Sequence, residues 1–124
     1  MLFCNRVMLV LAGLSGAGGV AAAAASAHGS DARLMGAVAL VALTHGALLA
    51  ALGFSGRAGY WQRGVTALTM LGLVFFCGDL ALRALYGERL FAMAAPTGGS
   101  LLILGWLVLA LSGLFDRPGK SCDC

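Results

Sequence analysis

Four long apolar segments take up most of this 124-residue chain and leave only short stretches of sequence outside them. They cover residues 7–27, 34–54, 64–82 and 90–115. Each is close to the ~20 apolar residues that a helix needs to cross a ~30 Å hydrocarbon core. The charged residues fall mainly in the short intervals between the segments. This pattern predicts an all-α fold: a polytopic integral membrane protein built as a bundle of four transmembrane helices.

The composition argues against any water-soluble domain. The chain is 60% hydrophobic and only 10% charged, whereas soluble domains carry about 25% charged residues. We therefore predict a single membrane domain over residues 1–124, with a disordered tail at 116–124. The net charge is only +3, and the basic residues are spread over helix ends instead of forming one patch. Such anchoring positions predict contact with membrane lipids and no binding of nucleic acid.

Basic residues also predict the orientation of the chain. With four spans, both termini and the second loop share one side of the membrane, and the first and third loops share the other. The first side carries five basic residues and the second carries three: Arg6, Arg57, Arg63, Arg117 and Lys120 against Arg33, Arg83 and Arg89. The positive-inside rule then predicts cytoplasmic termini. The bias towards Ala, Gly and Arg favours a bacterial inner membrane.

The first segment has one competing interpretation. Arg6 precedes an apolar run that ends in Ala25, Ser26 and Ala27, which resembles a secretory signal with a small-residue cleavage site. The run of about 21 residues is longer than the 7–15 typical of a signal core. A retained transmembrane helix is the favoured interpretation.

Small residues form stripes on two of the predicted helices. Helices in a bilayer associate where small residues let their backbones approach closely. The first helix carries Ala12, Gly16, Gly19 and Ala23, and the fourth carries Gly98, Gly105 and Ser112 at intervals of seven residues. We predict that these two stripes pack against each other.

Asp79 is the most informative polar residue, because an ionisable group inside a span is costly and usually faces protein or water. Arg83 follows one helical turn later, so an ion pair near the outer interface is expected. His28 ends the first helix on the same side, and Thr97 lies at a comparable depth. Together these four residues are predicted to form a polar outer mouth. Either each anchors its own helix, or the four form a shallow binding or gating site.

Pro96 lies inside the predicted fourth helix. Proline lacks a backbone N–H, so it leaves the carbonyl one turn earlier without its helical partner. We predict an irregular turn at residues 96–99, with His28 as the neighbour that satisfies the carbonyl near Ala92.

His45 lies near the middle of the second helix. The simplest interpretation is a neutral imidazole bonded to Thr44, a backbone carbonyl or a neighbouring helix. A haem ligand is the alternative. His28 and His45 differ in depth by about eleven residues, or ~17 Å, so one haem within this chain cannot use both.

The cysteines indicate no metal site. Cys4, Cys122 and Cys124 would share the inner side, but their spacing differs from the usual C-x₂₋₄-C pattern. No metal is therefore predicted.

Several short motifs follow one another along the chain in a familiar order. They are residues 12–29, His45 within 44–48, residues 77–80, the Pro-x-Gly-Gly signature at 96–99, and Gly105-Trp106. By these motifs, which cover nearly the whole chain, the sequence resembles a family of small four-helix membrane proteins catalogued as domain of unknown function 423, whose animal relative is transmembrane protein 256. Two features depart from the family pattern: the first loop, 28–33, is short, and Val41 and Ala42 replace an aromatic and glutamine pair.

The resemblance implies the fold and a membrane location, and it implies no activity. Within the pattern, a helix-packing motif on the fourth helix comprises Pro96, Gly98, Gly99, Gly105 and Trp106.

The sequence contains no phosphate-binding loop, no H-E-x-x-H motif and no paired carboxylates, so we predict no enzymatic activity and no cofactor. The favoured function is an accessory, assembly or structural subunit that packs on other membrane helices, with membrane subunits or further copies of the chain as partners. The alternative is an oligomeric transporter or channel for protons or small solutes that uses Asp79 and His45. The third is a haem or quinone redox subunit based on His45.

Overall fold

The computed structural model describes residues 2–29, 31–56 and 59–115. They form four helices: α1 (Leu2–His28), α2 (Ala32–Phe54), α3 (Tyr60–Tyr86) and α4 (Ala94–Phe115). Each is long and apolar enough to cross a membrane. The prediction of an all-α bundle of four transmembrane helices is confirmed. The predicted disordered tail lies outside the described residues.

The four helices pack in chain order. α1 lies against α2, α3 lies against α4, and α2 joins the two pairs by packing on α3. At the centre, one apolar cluster takes a buried residue from every helix: Ala12, Leu49, Leu73 and Leu102. The fold is therefore two helical pairs held together through α2, α3 and this shared core.

The small-residue stripe of α4 packs on α3 and not, as predicted, on α1. A Cβ added at Gly98 would overlap the backbone nitrogen of Phe76 and lie 2.9 Å from the carbonyl oxygen of Gly72. Gly105 is also buried, and a Cβ there would lie 3.4 Å from Oγ1 of Thr69. The prediction was wrong because periodicity identifies a small face without identifying its partner. The short turn after α3 returns the chain beside α3.

The stripe of α1 packs on α2. A Cβ added at Gly46 of α2 would lie 3.3 Å from both the carbonyl oxygen of Ala12 and the backbone nitrogen of Gly16. Ala23, the last residue of the predicted stripe, is exposed. In each half of the bundle, therefore, the two helices that pack together are consecutive in the sequence.

The third and fourth helices differ in extent from the prediction. α3 continues to Tyr86 and ends at Gly87, whose φ of 72° is left-handed and whose N–H bonds to the carbonyl of Arg83. α4 begins only at Ala94, so Pro96 lies in its first turn, where a helix has no use for that N–H. The predicted irregular turn at 96–99 is therefore wrong: these residues are regular helix.

Candidate functional site

Asp79 is the only one of the predicted outer residues that is completely buried. Its position on α3 directs the carboxylate towards the turn that leads to α4. Oδ1 accepts the backbone N–H of Leu90 at 2.9 Å, and Oδ2 forms the predicted ion pair with Arg83. Asp79 therefore fastens the α3–α4 turn to the end of α3, a structural bond that the sequence did not indicate.

The structure does not bring the other two outer candidates to this carboxylate. His28 is exposed at the end of α1, and Thr97 is exposed in the first turn of α4, where its N–H bonds to the carbonyl of Met93 at 3.0 Å. Among the described residues, neither forms a hydrogen bond with Asp79 or Arg83. The polar interactions at the outer end are therefore the ion pair between Asp79 and Arg83 and the hydrogen bond from the backbone of Leu90 to Asp79.

His45 is buried and uses both of its ring nitrogens. Nδ1 lies 2.8 Å from the carbonyl oxygen of Val41 and 3.3 Å from Oγ1 of Thr44. Nε2 lies 3.0 Å from Nε1 of Trp106. Because an indole nitrogen only donates, Nε2 must accept, and the ring proton therefore sits on Nδ1 and is donated to Val41. This geometry describes a neutral histidine.

The bond between His45 and Trp106 links α2 to α4, and so links the two helical pairs. The rings meet edge to face, with centroids 5.9 Å apart. A metal or haem iron would need the Nε2 lone pair that Trp106 now occupies. Sequence reasoning placed both residues in family motifs but missed their contact. The available signal was the need of an indole N–H for an acceptor in apolar surroundings.

A groove opens to the surface between α1 and α3, with α2 as its floor. We call it the α1–α3 groove; its volume is about 510 Å³. Its walls and floor carry several small residues, Ser15, Gly18, Ala42, Gly78 and Ala81, among apolar side chains. Apart from neighbouring residues of its own helix, no atom lies within 4 Å of a Cβ built at Gly18 or Gly78. Backbone is therefore exposed on both walls.

A smaller cavity of about 160 Å³ lies at the opposite end of the bundle from Asp79. It is bordered by the end of α2, the start of α3 and the last turns of α4. Gln62 is buried there and donates Nε2–H to the carbonyl of Leu52 at 2.7 Å. Sequence reasoning did not identify this residue, since a glutamine in the first turn of a helix carries no functional signal by itself.

Within the described part of the chain, no three His, Cys, Asp or Glu side chains come together in a way that would hold a metal ion. Cys122 and Cys124 lie outside it. The polar side chains described above form hydrogen bonds and an ion pair.

Comparison with known proteins places this geometry in context. The family profile described as "Protein of unknown function (DUF423)" matches residues 16–99. The UPF0382 membrane protein SSP2132 of Staphylococcus saprophyticus is 32% identical, with 86% of this chain and 95% of the relative aligned. The UPF0382 inner membrane protein YgdD of Escherichia coli K12 is also 32% identical, over 94% of this chain and 97% of the relative. No solved structure matches the chain.

Proposed function

This chain belongs to the DUF423 family of membrane proteins, and we propose that it is a non-enzymatic accessory protein that binds a transmembrane helix of another membrane protein. The observation that carries the proposal is the α1–α3 groove. The relatives are named as membrane proteins, and the Escherichia coli relative as an inner membrane protein. The proposal places this chain in a bacterial inner membrane with both termini in the cytoplasm.

The groove suits a helix because of how helices associate in lipid. Lipid tails are as apolar as leucine, so association depends on close packing and not on the hydrophobic effect. Gly18 on one wall, Gly78 on the other and Ala42 on the floor keep the groove wide and let another backbone approach. Gly18 and Gly78 make no tight internal contact that would require a small residue for folding.

The transporter alternative is favoured by one observation, the complete burial of the Asp79 carboxylate within a span. Transport would require this group to exchange a proton or ion. Its oxygens instead hold Leu90 and Arg83, and His45 holds Val41 and Trp106. A redox role at His45 would likewise require Trp106 to move away. The bonding of these groups thus supports the accessory role.

The proposal is tested by filling the groove. Gly18→Leu and Gly78→Leu place a large side chain in open space, so the fold should tolerate them. Gly13→Leu is the matched control: it lies on α1, also has no atom within 4 Å of its Cβ, and does not line the groove. Photocrosslinkers in place of Leu14 and Val74, which line the groove and are exposed, should join the chain in native membranes to one defined membrane protein. Gly18→Leu and Gly78→Leu should each abolish that product, whereas Gly13→Leu should preserve it.

Two results would refute the accessory role. One is an unchanged crosslinked product in the Gly18→Leu and Gly78→Leu variants. The other is a product containing only two copies of this chain, which would assign the groove to self-association.

A further inference from the structure

The cavity beside Gln62 has a lining that selects for a particular chemistry. We call it the inner cavity. Its polar side chains are Ser55, Gln62 and Ser112, and the indole of Trp61 forms part of its wall. A volume of about 160 Å³ exceeds the ~10–15 Å³ of probe-occupied volume that a single water requires. The cavity therefore has room for several waters or for a head group of a few non-hydrogen atoms.

The hydrogens on the three polar side chains, Ser55, Gln62 and Ser112, are already committed. Ser55 Oγ donates to the carbonyl of Leu52 at 2.7 Å, and Ser112 Oγ donates to the carbonyl of Leu109 at 2.7 Å. Gln62 donates from Nε2 to the carbonyl of Leu52 and to Sδ of Met8, while its buried Oε1 has no partner. What remains on all three side chains is acceptor capacity. A ligand that complements them must donate hydrogen bonds.

Two helix ends that border the cavity favour a donor that is also a cation. α2 and α4 both end here, and the carbonyl end of a helix carries partial negative charge. Neither helix has a basic residue in its last turn. The face of an indole such as Trp61 also attracts cations. A primary ammonium group meets each of these conditions, since it is positively charged and has three N–H donors.

The start of α3 borders the same cavity, and because the N-terminal end of a helix carries partial positive charge, an anion is favoured next to it. Its N-cap, Gly59, provides no side-chain hydrogen bond to the first backbone N–H groups. Arg63, one residue after Gln62, is exposed. A group with an ammonium and a phosphate a few bonds apart would therefore find acceptors within the cavity and donors at its edge.

We propose that the inner cavity binds a primary ammonium group, and that its usual source is the phosphoethanolamine head group of a membrane lipid. A soluble amine offers the same ammonium chemistry. The lipid is favoured because the cavity lies at the ends of three transmembrane helices, where lipid head groups are located. Trp61 is partly exposed there and stacks on Phe115 with ring centroids 6.5 Å apart.

The test is native mass spectrometry of the full chain released from vesicles that contain equal amounts of phosphatidylethanolamine, phosphatidylcholine and phosphatidylglycerol. Phosphatidylethanolamine should be retained several-fold more than the other two, because the choline head group has no N–H donor and phosphatidylglycerol has no amine. Displacement of the lipid by millimolar ethanolamine would assign the site to soluble amines and keep the ammonium chemistry. Equal retention of all three lipids would overturn the proposal.

Substitutions at the inner cavity test whether the lipid binds there. Ser112→Leu fills the inner cavity and should lower phosphatidylethanolamine retention about tenfold, or ~1.4 kcal/mol. Ser100→Leu is the matched control, since Ser100 is also on α4 and also donates to a carbonyl of its own helix, that of Pro96 at 2.9 Å. Trp61→Leu leaves the serines in place and should weaken retention about fivefold through the lost cation–π contact. Unchanged retention in both Ser112→Leu and Trp61→Leu, or an equal loss in Ser100→Leu, would overturn the proposal.

Discussion

Helices α3 and α4 approach each other so closely at Gly98 that a Cβ there would overlap the backbone of α3, and replacing this glycine by alanine tests the packing directly. A Cβ at this position would overlap the backbone nitrogen of Phe76 and lie 2.9 Å from both the carbonyl oxygen of Gly72 and Cα of Phe76. These neighbours are backbone atoms, so no rotamer change can move them aside. The two helices would have to separate, and their contacts beyond position 98 would loosen.

Two opposing terms set the size of the effect. Overpacking a well-packed contact costs about 1–3 kcal/mol and occasionally more. Alanine is favoured over glycine inside a helix by roughly 0.5–1 kcal/mol. Gly113 lies on the same helix with no atom within 4 Å of its Cβ position, so Gly113→Ala shows the second term alone. Gly98→Ala should therefore be less stable than Gly113→Ala by about 1–3 kcal/mol.

The assay is reversible unfolding of the purified protein in mixed micelles with an increasing fraction of denaturing detergent, followed by far-ultraviolet circular dichroism. The free energy of unfolding is compared among the wild type, Gly98→Ala and Gly113→Ala. Gly105→Ala adds an internal calibration: its Cβ would lie 3.4 Å from Thr69 Oγ1, an ordinary contact, so its stability should fall between the other two variants.

Equal stability of the Gly98→Ala and Gly113→Ala variants would refute the reasoning, because the two differ only in what the new methyl group meets. If the Gly105→Ala variant were less stable than Gly98→Ala, the tighter contact between α3 and α4 would be at Gly105, and the assignment of that contact to Gly98 would be wrong.

Three further predictions concern the polar residues and the topology. Asp79→Ala should destabilise more than Asp79→Ala combined with Arg83→Ala, because the single change leaves a charge without its partner; a larger loss in the double variant would contradict the ion pair. Trp106→Phe keeps an aromatic side chain but removes the indole N–H donated to His45, so unfolding should cost at least about 0.6 kcal/mol less than in the wild type; equal free energies of unfolding would mean that this bond contributes nothing. An impermeant thiol reagent added to intact cells should leave the two tail cysteines unmodified, and efficient labelling would reverse the proposed orientation.

The predicted ion pair between Asp79 and Arg83 is confirmed, whereas the predicted contact between α1 and α4 is wrong. Asp79 and Arg83 lie four residues apart on one helix, and the helical period alone brings such residues together. The partner of Gly98 lies on another helix, and a stripe of small residues offers several possible partners. Pro96 was misjudged for a related reason. Four residues of apolar turn before α4 resemble helix in hydropathy, so the start of the helix, and with it the effect of the proline, was misplaced.

Composition and hydropathy by themselves determined that this is an all-α membrane protein with four spans, since continuous apolar segments of about 20 residues cross lipid as helices, which satisfy every backbone hydrogen bond within the segment. Local spacing added the Asp79–Arg83 pair. The tertiary structure alone decided the pairing of α3 with α4, the bond between His45 and Trp106 across 61 residues of sequence, and the inner cavity beside Gln62. Contacts within a helix follow from its fixed period, whereas contacts between helices depend on how whole surfaces fit, and no short stretch of sequence contains that information.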